Sequence, residues 1–298
     1  MKDGIIIINK TSGCTSHDIV YQVKKIFEKK VGHTGTLDPM ATGVLPILIG
    51  EGTKLSKYLI NHDKTYIVKL QLGQKTDTAD SEGQVIEEKE VLEEVFKKES
   101  IEKVLKSFIG KQEQIPPIYS AIKVNGKKLY EYARKGQKVE IEPRKIEIYN
   151  IELLKIDINQ KQIDFKVDCS KGTYIRSLCE DIATKLGTVG YMSGLQRTRV
   201  GEFKIERAIT VEELKEILEN PANEELLETN FITIEELFKD RESINLENKR
   251  KLELFLNGVN LTYKLKDDIY RIYCENEFIG IGIVKDELLK RDIIEFRR

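Results

Sequence analysis

Asp38 is followed by Pro39 in the middle of Gly32-His-Thr-Gly-Thr-Leu-Asp-Pro-Met-Ala-Thr-Gly-Val-Leu-Pro-Ile-Leu-Ile-Gly50. Proline disfavours the α region for the residue before it, so Asp38 is expected in extended or turn backbone, while the glycines allow positive φ or close approach. A carboxylate on such a loop, beside the apolar run Val44 to Ile49, has surroundings in which burial and a cationic partner tune its pKa. The chemistry open to it is nucleophilic attack or proton abstraction. The plainer alternative is an Asp-Pro pair that only opens a tight turn.

A second junction of this kind is Ser170-Lys-Gly-Thr-Tyr-Ile-Arg176, where an alternating strand runs into a glycine turn and then a helix. It places Tyr174 and Arg176 at an element terminus, where side chains are held rigidly yet can face a cleft. Arg176 could equally be an ordinary helix-start residue, Tyr66 a core tyrosine on a strand face, and His33 a hydrogen-bonded residue of its glycine loop. Between Gln114 and Gly136, tyrosines 119, 130 and 132 interleave with lysines 123, 127, 128 and 135. Rings that stack on bases and cations that meet phosphates are what an RNA-contacting flap requires; a surface hairpin without function remains the alternative.

The elements that would position these residues follow from periodicity. Ile5 to Ile8 predicts a buried strand, and Ser16 is expected to cap a helix with Ile19, Val23, Ile26 and Phe27 on one face. Tyr66, Val68, Leu70 and Leu72 alternate with Ile67, Lys69 and Gln71, the period-two pattern of a strand over Lys64 to Gly73. Ser100 is read as the cap, and Gly110 as the stop, of a helix striped by Ile101, Val104, Leu105 and Phe108. Asn125-Gly126 signals a tight hairpin. Another strand carries Ile163, Phe165, Val167 and Cys169, followed by a helix with Ile175, Leu178, Cys179, Ile182 and Leu186. Thr210 with Glu213, and Thr233 with Glu236, read as capping boxes. From Ile244 on, short alternating pieces predict a compact β-rich appendage of about sixty residues.

With 298 residues the chain can bury a sizeable core, and no stretch has the unbroken apolar length of a membrane span. The first ten residues hold too short an apolar run for a signal peptide, so a cytoplasmic protein is expected. The four cysteines show no CxxC spacing and no paired His, which predicts a reduced, metal-free protein. Net charge is only −1, but residues 111–145 hold nine Lys or Arg against four Glu, and residues 211–231 hold seven Glu against one Lys. Such segregation supplies a local basic surface for a polyanion, although ordinary charge scatter reads the same way. There is no P-loop, HExxH, GxSxG or internal repeat, and Gly280-x-Gly282 lacks the third glycine and helix of a dinucleotide loop.

Taken together, the ordered motifs resemble those of the bacterial TruB family, the tRNA pseudouridine synthases that modify uridine 55 in the T loop. They are Gly32-His-Thr-Gly-Thr-Leu-Asp-Pro-x-Ala-Thr-Gly43, Lys64-x-Tyr66 with Leu72-Gly-x-x-Thr-Asp-Thr78, Pro116-Pro-x-Tyr-Ser-Ala-x-Lys123, Tyr130-x-x-Ala-Arg-x-Gly136, Ser170 to Arg176, and Leu195 to Phe203. The resemblance implies an α+β pseudouridine synthase fold, a mixed, largely antiparallel sheet flanked by helices with an inserted thumb, plus a small β-rich C-terminal PUA-like domain. The catalytic domain would occupy residues 1–240, with the thumb at about 113–144, and the PUA-like RNA-binding domain residues 241–298.

By the same resemblance Asp38 is the catalytic aspartate and Arg176 the arginine that pairs with it. Tyr66 stacks on the target base, Tyr174 and Leu195 line the cleft, and His33 enters the RNA loop where the flipped base had been. The partner is tRNA through its T arm, with no membrane and no obligate protein partner, and the protein is expected as a monomer. Pseudouridine formation breaks the C1′–N1 bond, turns the uracil and rejoins it through C5. It involves no redox change, so no cofactor is expected. Arg176 would keep Asp38 ionised, and extruding the base would cost a few kcal/mol, offset by stacking on Tyr66 and insertion of His33. The first step of Asp38, attack at C1′ or proton abstraction at C2′, stays open.

Three positions depart from the family. Lys10-Thr11 replaces Lys-Pro, which predicts a less rigid turn; Leu195-Gln-Arg-Thr198 replaces Leu-Arg-Arg-Thr and loses a cation; Met40 replaces Leu, a volume-conserving swap. The rival reading is a noncatalytic RNA-binding or tRNA-folding module that uses the same cleft and appendage. A glycoside hydrolase would need a second carboxylic acid roughly 5–10 Å from Asp38, where the neighbouring motifs offer Arg and Tyr.

Overall fold

The structure, a computed structural model, describes residues 3–137, 139–220, 226 and 229–296. Its larger sheet runs in the order Phe231–Thr233, Gly4–Lys10, Thr42–Ile49, Gly190–Val200, Lys64–Leu72, Gln162–Cys169, Arg144–Asp157, Gly110–Gln114. Every neighbouring pair is antiparallel except Thr42–Ile49 with Gly190–Val200, which run parallel. That pair is joined through Gln196 to Thr42 and Arg197 to Gly43.

Alternation decides which face each strand buries. Tyr66, Val68, Leu70 and Leu72 pack with Ile163, Phe165 and Val167 against the helices Ile175–Lys185 and Lys98–Lys106. On the other half, Ile6, Ile8, Leu45 and Ile47 pack against the helix Ser16–Phe27 through Ile19, Val20, Val23 and Phe27. Thr15, not Ser16, caps that helix: its side chain accepts from Asp18 N, and Asp18 reaches back to Thr15 N at 2.8 Å. Ser16 is instead committed to Leu37, as described below. The helix expected from Ser100 to Gly110 spans Lys98–Lys106, and Gly110, at φ +110°, opens the next strand.

Gln114 and Arg144 are hydrogen-bonded neighbours in the sheet, so the chain between them is an excursion that leaves and returns at one point. It holds the hairpin Lys123–Val124 with Lys127–Lys128, turned by Asn125 and Gly126 at φ +51° and +80°, and the helix Leu129–Ala133.

A second, five-stranded sheet spans Ser243 to Ile294 and encloses its own core of Ile244, Phe255, Ile272, Ile279 and Leu289. Ile281 and Ile293 pack against Leu55, Leu59, Ile234 and Phe238 of the larger unit. Asp292 accepts from the Tyr58 hydroxyl and pairs with Lys57 across the same boundary. Among the described residues no helix is long and apolar enough to cross a membrane.

Candidate active site

Backbone anchors hold the loop that carries Asp38. Lys10, fully buried, donates through Nζ to the carbonyls of Thr11, Pro39 and Ala41 at 3.0, 3.0 and 2.7 Å. Ser16 Oγ donates to Leu37 O at 3.1 Å and accepts from Leu37 N at 2.9 Å. Gly13 N donates to Pro39 O and Ala41 N to Asp38 O, both at 3.0 Å. The Lys10-Thr11 departure therefore does not leave this turn loose: the lysine ammonium ties both sides of it together.

Arg176 enters from the first turn of the helix Ile175–Lys185, where side chains tilt back toward the N-terminus and so toward the cleft. Its Nε stands 3.3 Å from Asp38 Oδ2 and its Nη2 3.5 Å from Oδ1. These distances are longer than the ~2.7–2.9 Å of a tight charge-assisted bond, so the pairing is electrostatic rather than clamped. Arg176 is fixed from behind: Nη1 lies 3.4 Å from Asp80 Oδ2 and donates to Thr78 O at 3.2 Å, and Nη2 donates to Tyr119 O at 3.0 Å. Asp80 is buried and is held in turn by Thr78 Oγ1 at 2.6 Å and Glu82 N at 3.1 Å. One guanidinium thus joins two carboxylates and a carbonyl of the excursion between Gln114 and Arg144.

The cleft around this group encloses about 490 Å³, and Asp38, Tyr66, Tyr174, Arg176 and Leu195 all line it. That size falls within the roughly 300–1,000 Å³ of small-ligand sites. Tyr119, Ser120 and Tyr130 of that excursion form part of the same wall. Tyr174 is set by Gln114, whose side-chain amide both accepts from Tyr174 N at 2.8 Å and donates to Tyr174 O at 3.0 Å. His33 is not on the wall. It ends the strand Val31–His33, opposite Ile47, with its ring Nδ1 buried and unpartnered, two residues before the lining residue Gly35.

About a third of the Asp38 side chain reaches the cleft, and protein surrounds the rest. Burial pushes its carboxyl above the ordinary value of 3.8, with Asp80 adding to the rise and Arg176 and Lys10 opposing it. Burial and the cationic partner thus act on this group in opposite directions, and desolvation is the larger influence. Tyr66 is pushed up to about 12, again by burial first, with the Arg197 cation opposing.

Asp80, Gln114, Lys10 and Arg197 belong to the site, and none of them stands out in the sequence as a site residue. Asp80 follows Thr76-Asp-Thr78 with no local feature to distinguish it from Asp77, and its role exists only through its pairing with Arg176, nearly a hundred residues away. Arg197 is visible only as the cation retained beside Gln196. Among the described residues no group of three or more His, Cys, Asp or Glu is arranged to hold a metal ion.

Residues 24–175 match the family described as TruB family pseudouridylate synthase (N terminal domain), and residues 176–239 match the tRNA pseudouridylate synthase B C-terminal domain. The chain is 46% identical to the tRNA pseudouridine synthase B of Clostridium tetani over 94% of its own length and 95% of that protein's. It is 44% identical to the protein of the same name from Caldanaerobacter subterraneus, over 97% of each chain. Among solved structures, an H/ACA RNP bound to a substrate RNA containing 2′-deoxyuridine matches with a TM-score of 0.68 at 25% identity, covering 99% of this chain and 86% of that one. A Cbf5-Nop10-Gar1 complex matches at 0.67 and 26%, covering 99% and 84%.

Proposed function

The chain belongs to the TruB family of pseudouridylate synthases, and from that premise we propose that it isomerises uridine 55 in the T loop of tRNA, with Asp38 as the catalytic carboxylate. The observation that carries this reading is Asp38 beside Arg176 in a cleft that Tyr66 also lines. The uridine flips out of its loop into the cleft, and Tyr66 stacks against the base. Asp38, ionised, supplies an electron pair to the sugar, at C1′ as a nucleophile or at the C2′ hydrogen as a base. In either route the C1′–N1 bonding pair leaves with the uracil. The detached ring turns and C5 bonds to C1′, as Asp38 leaves C1′ in the first route or returns the proton to C2′ in the second; C5 then loses its proton and N1 gains one, so product and substrate have the same atoms and no cofactor enters.

Arg176 orients the carboxylate, and Asp80 fixes Arg176, which leaves a near-attack geometry to be completed by the RNA. Tyr174 and Leu195 wall the base in. His33, placed just before the cleft loop, follows the RNA into the space that the base vacates. The thumb, residues 113–144, covers the T arm with its lysines, and residues 241–298 act as a PUA-like RNA-binding domain. The relatives' name, tRNA pseudouridine synthase B, supports tRNA as the substrate.

The test is to incubate the protein with unmodified tRNA and with an isolated T-arm hairpin and to map pseudouridine chemically. Modification confined to the uridine at position 55 in both RNAs is the expected result. Modification at a different uridine would overturn the site assignment, and RNA binding with no product at all would leave the noncatalytic module as the correct reading.

A further inference from the structure

Arg197 is the largest fully buried side chain of the described residues, only 1% exposed. It pairs with no carboxylate among them: its side chain donates through Nε to Val44 O at 2.8 Å and through Nη2 to Gly35 O at 2.9 Å, and it lies close enough to Tyr66 for its charge to act on the phenol. Burying a guanidinium without a counter-charge is expensive even when carbonyls accept from it, and an apolar side chain would fill the same space at less cost. The stabilities of neighbouring strands therefore do not account for a cation here.

Its position suggests what does. Arg197 stands opposite Tyr66 on one side and Gly43 on the other, at the one point where the parallel strand pair is joined. A Cβ on Gly43, at φ +103°, would fall 2.2 Å from the Arg197 carbonyl oxygen, so the approach of these two strands depends on that glycine. Gly35 and Val44 are the two ends of the segment that carries Asp38. One guanidinium thus spans both ends of the Asp38 loop and the hydroxyl of the ring assigned to the base.

We propose that Arg197 is a positioning residue for the isomerisation: it sets the Asp38 loop against Tyr66 and polarises the Tyr66 hydroxyl on the side of the cleft where the detached uracil is held. The inference rests on the reading of Asp38 and Tyr66 given above. It has a chemical reason, because the C1′–N1 bonding pair leaves with the uracil, and a fixed positive charge behind that ring favours the anion so formed. Lysine would return the charge without the planar fork that reaches several acceptors at once.

The test compares the wild-type protein with Arg197→Gln and Arg197→Lys by single-turnover pseudouridine formation on a T-arm hairpin, by RNA affinity, and by thermal unfolding. The expected result is that both variants keep a cooperative transition and bind RNA within about threefold of wild type. Arg197→Gln should lose about a hundredfold or more in rate, and Arg197→Lys should recover only part of it. A rate for Arg197→Gln within about threefold of wild type would overturn the inference. So would a loss of affinity that matches the loss of rate, or the absence of a folded state in both variants, since either would make Arg197 a residue of the fold alone. Absence of product from the wild-type protein would instead contradict the underlying assignment of function.

Discussion

Arg176 and Arg197 in the floor of the cleft are almost wholly buried, each fixed by bonds to carbonyls or carboxylates. Across the cleft, Lys123, Lys127, Arg134 and Lys135 of the thumb are exposed and form no ion pair among the described residues. The thumb has little core of its own, with Leu129 and Ser120 its buried anchors near the hairpin. On the proposed function, the difference separates two tasks that both need positive charge. Cations that orient reacting groups must be desolvated and immobile, because a displacement of about 1 Å can cost 10²-fold in rate. Cations that meet a phosphate backbone act at longer range and gain from staying free.

Several changes would break or sharpen this contrast, and the largest effect should come from the floor. Arg176→Met leaves Asp38 and the buried Asp80 facing each other without a cation, so about 3–5 kcal/mol of stability should be lost along with activity, as read by urea unfolding and product mapping. Asp80→Asn keeps the side chain's shape but releases Arg176 from one of its two carboxylates. The expected outcome is a rate lower by about 10–100-fold with RNA affinity unchanged, measured under single turnover. The thumb should behave in the opposite way. Replacing Lys123, Lys127 and Lys135 together by Ala should weaken RNA binding and reduce the salt slope by about one for each phosphate no longer neutralised. Stability should stay within about 0.5 kcal/mol and the rate at saturating RNA should be retained. A thumb variant that slowed the reaction at saturation would erase the distinction.

The smallest effect is one of pH. Burial lowers the pKa of His33 and of His62 from 6.5. Below 6.5 the unfolded chain binds protons that the folded chain refuses, so stability is present above that pH and declines as pH falls from 6.5 toward the folded values. Unfolding midpoints at pH 7.5 and 5.5 should differ in that direction, and changing both histidines to Gln should flatten the difference.

The contrast also explains what the sequence disclosed. Asp38, Tyr66, Tyr174, Arg176 and Leu195 stand at element ends or in alternating strands whose local patterns are strong, and the fold brings all five to one wall. Asp80, Gln114 and Arg197 act through partners far along the chain, and no local pattern encodes a pairing of that length. Helix boundaries slipped for a related reason. Ser16 and Ser100 have the residue type of a cap, but Ser16 is drawn off by Leu37 and Ser100 lies within its helix. The hairpin between Lys123 and Lys128 was legible because Asn125-Gly126 fixes it locally. His33 lies on the strand Val31–His33, off the cleft wall, a placement that its motif alone did not disclose.

Asp38 carries the whole account. Because burial raises its carboxyl pKa, the folded chain binds a proton between 3.8 and the folded value that the unfolded chain has released. Ionising it therefore costs stability as pH rises through that window, and Asp38→Asn should melt no lower than wild type at pH 7. The most direct measurement is chemical mapping of pseudouridine on a T-arm hairpin incubated with wild-type protein and with Asp38→Asn, alongside the RNA affinity of each. The account predicts complete modification by the wild type, and from Asp38→Asn no product with affinity within about threefold. Pseudouridine formed by Asp38→Asn at a rate comparable to wild type would contradict it.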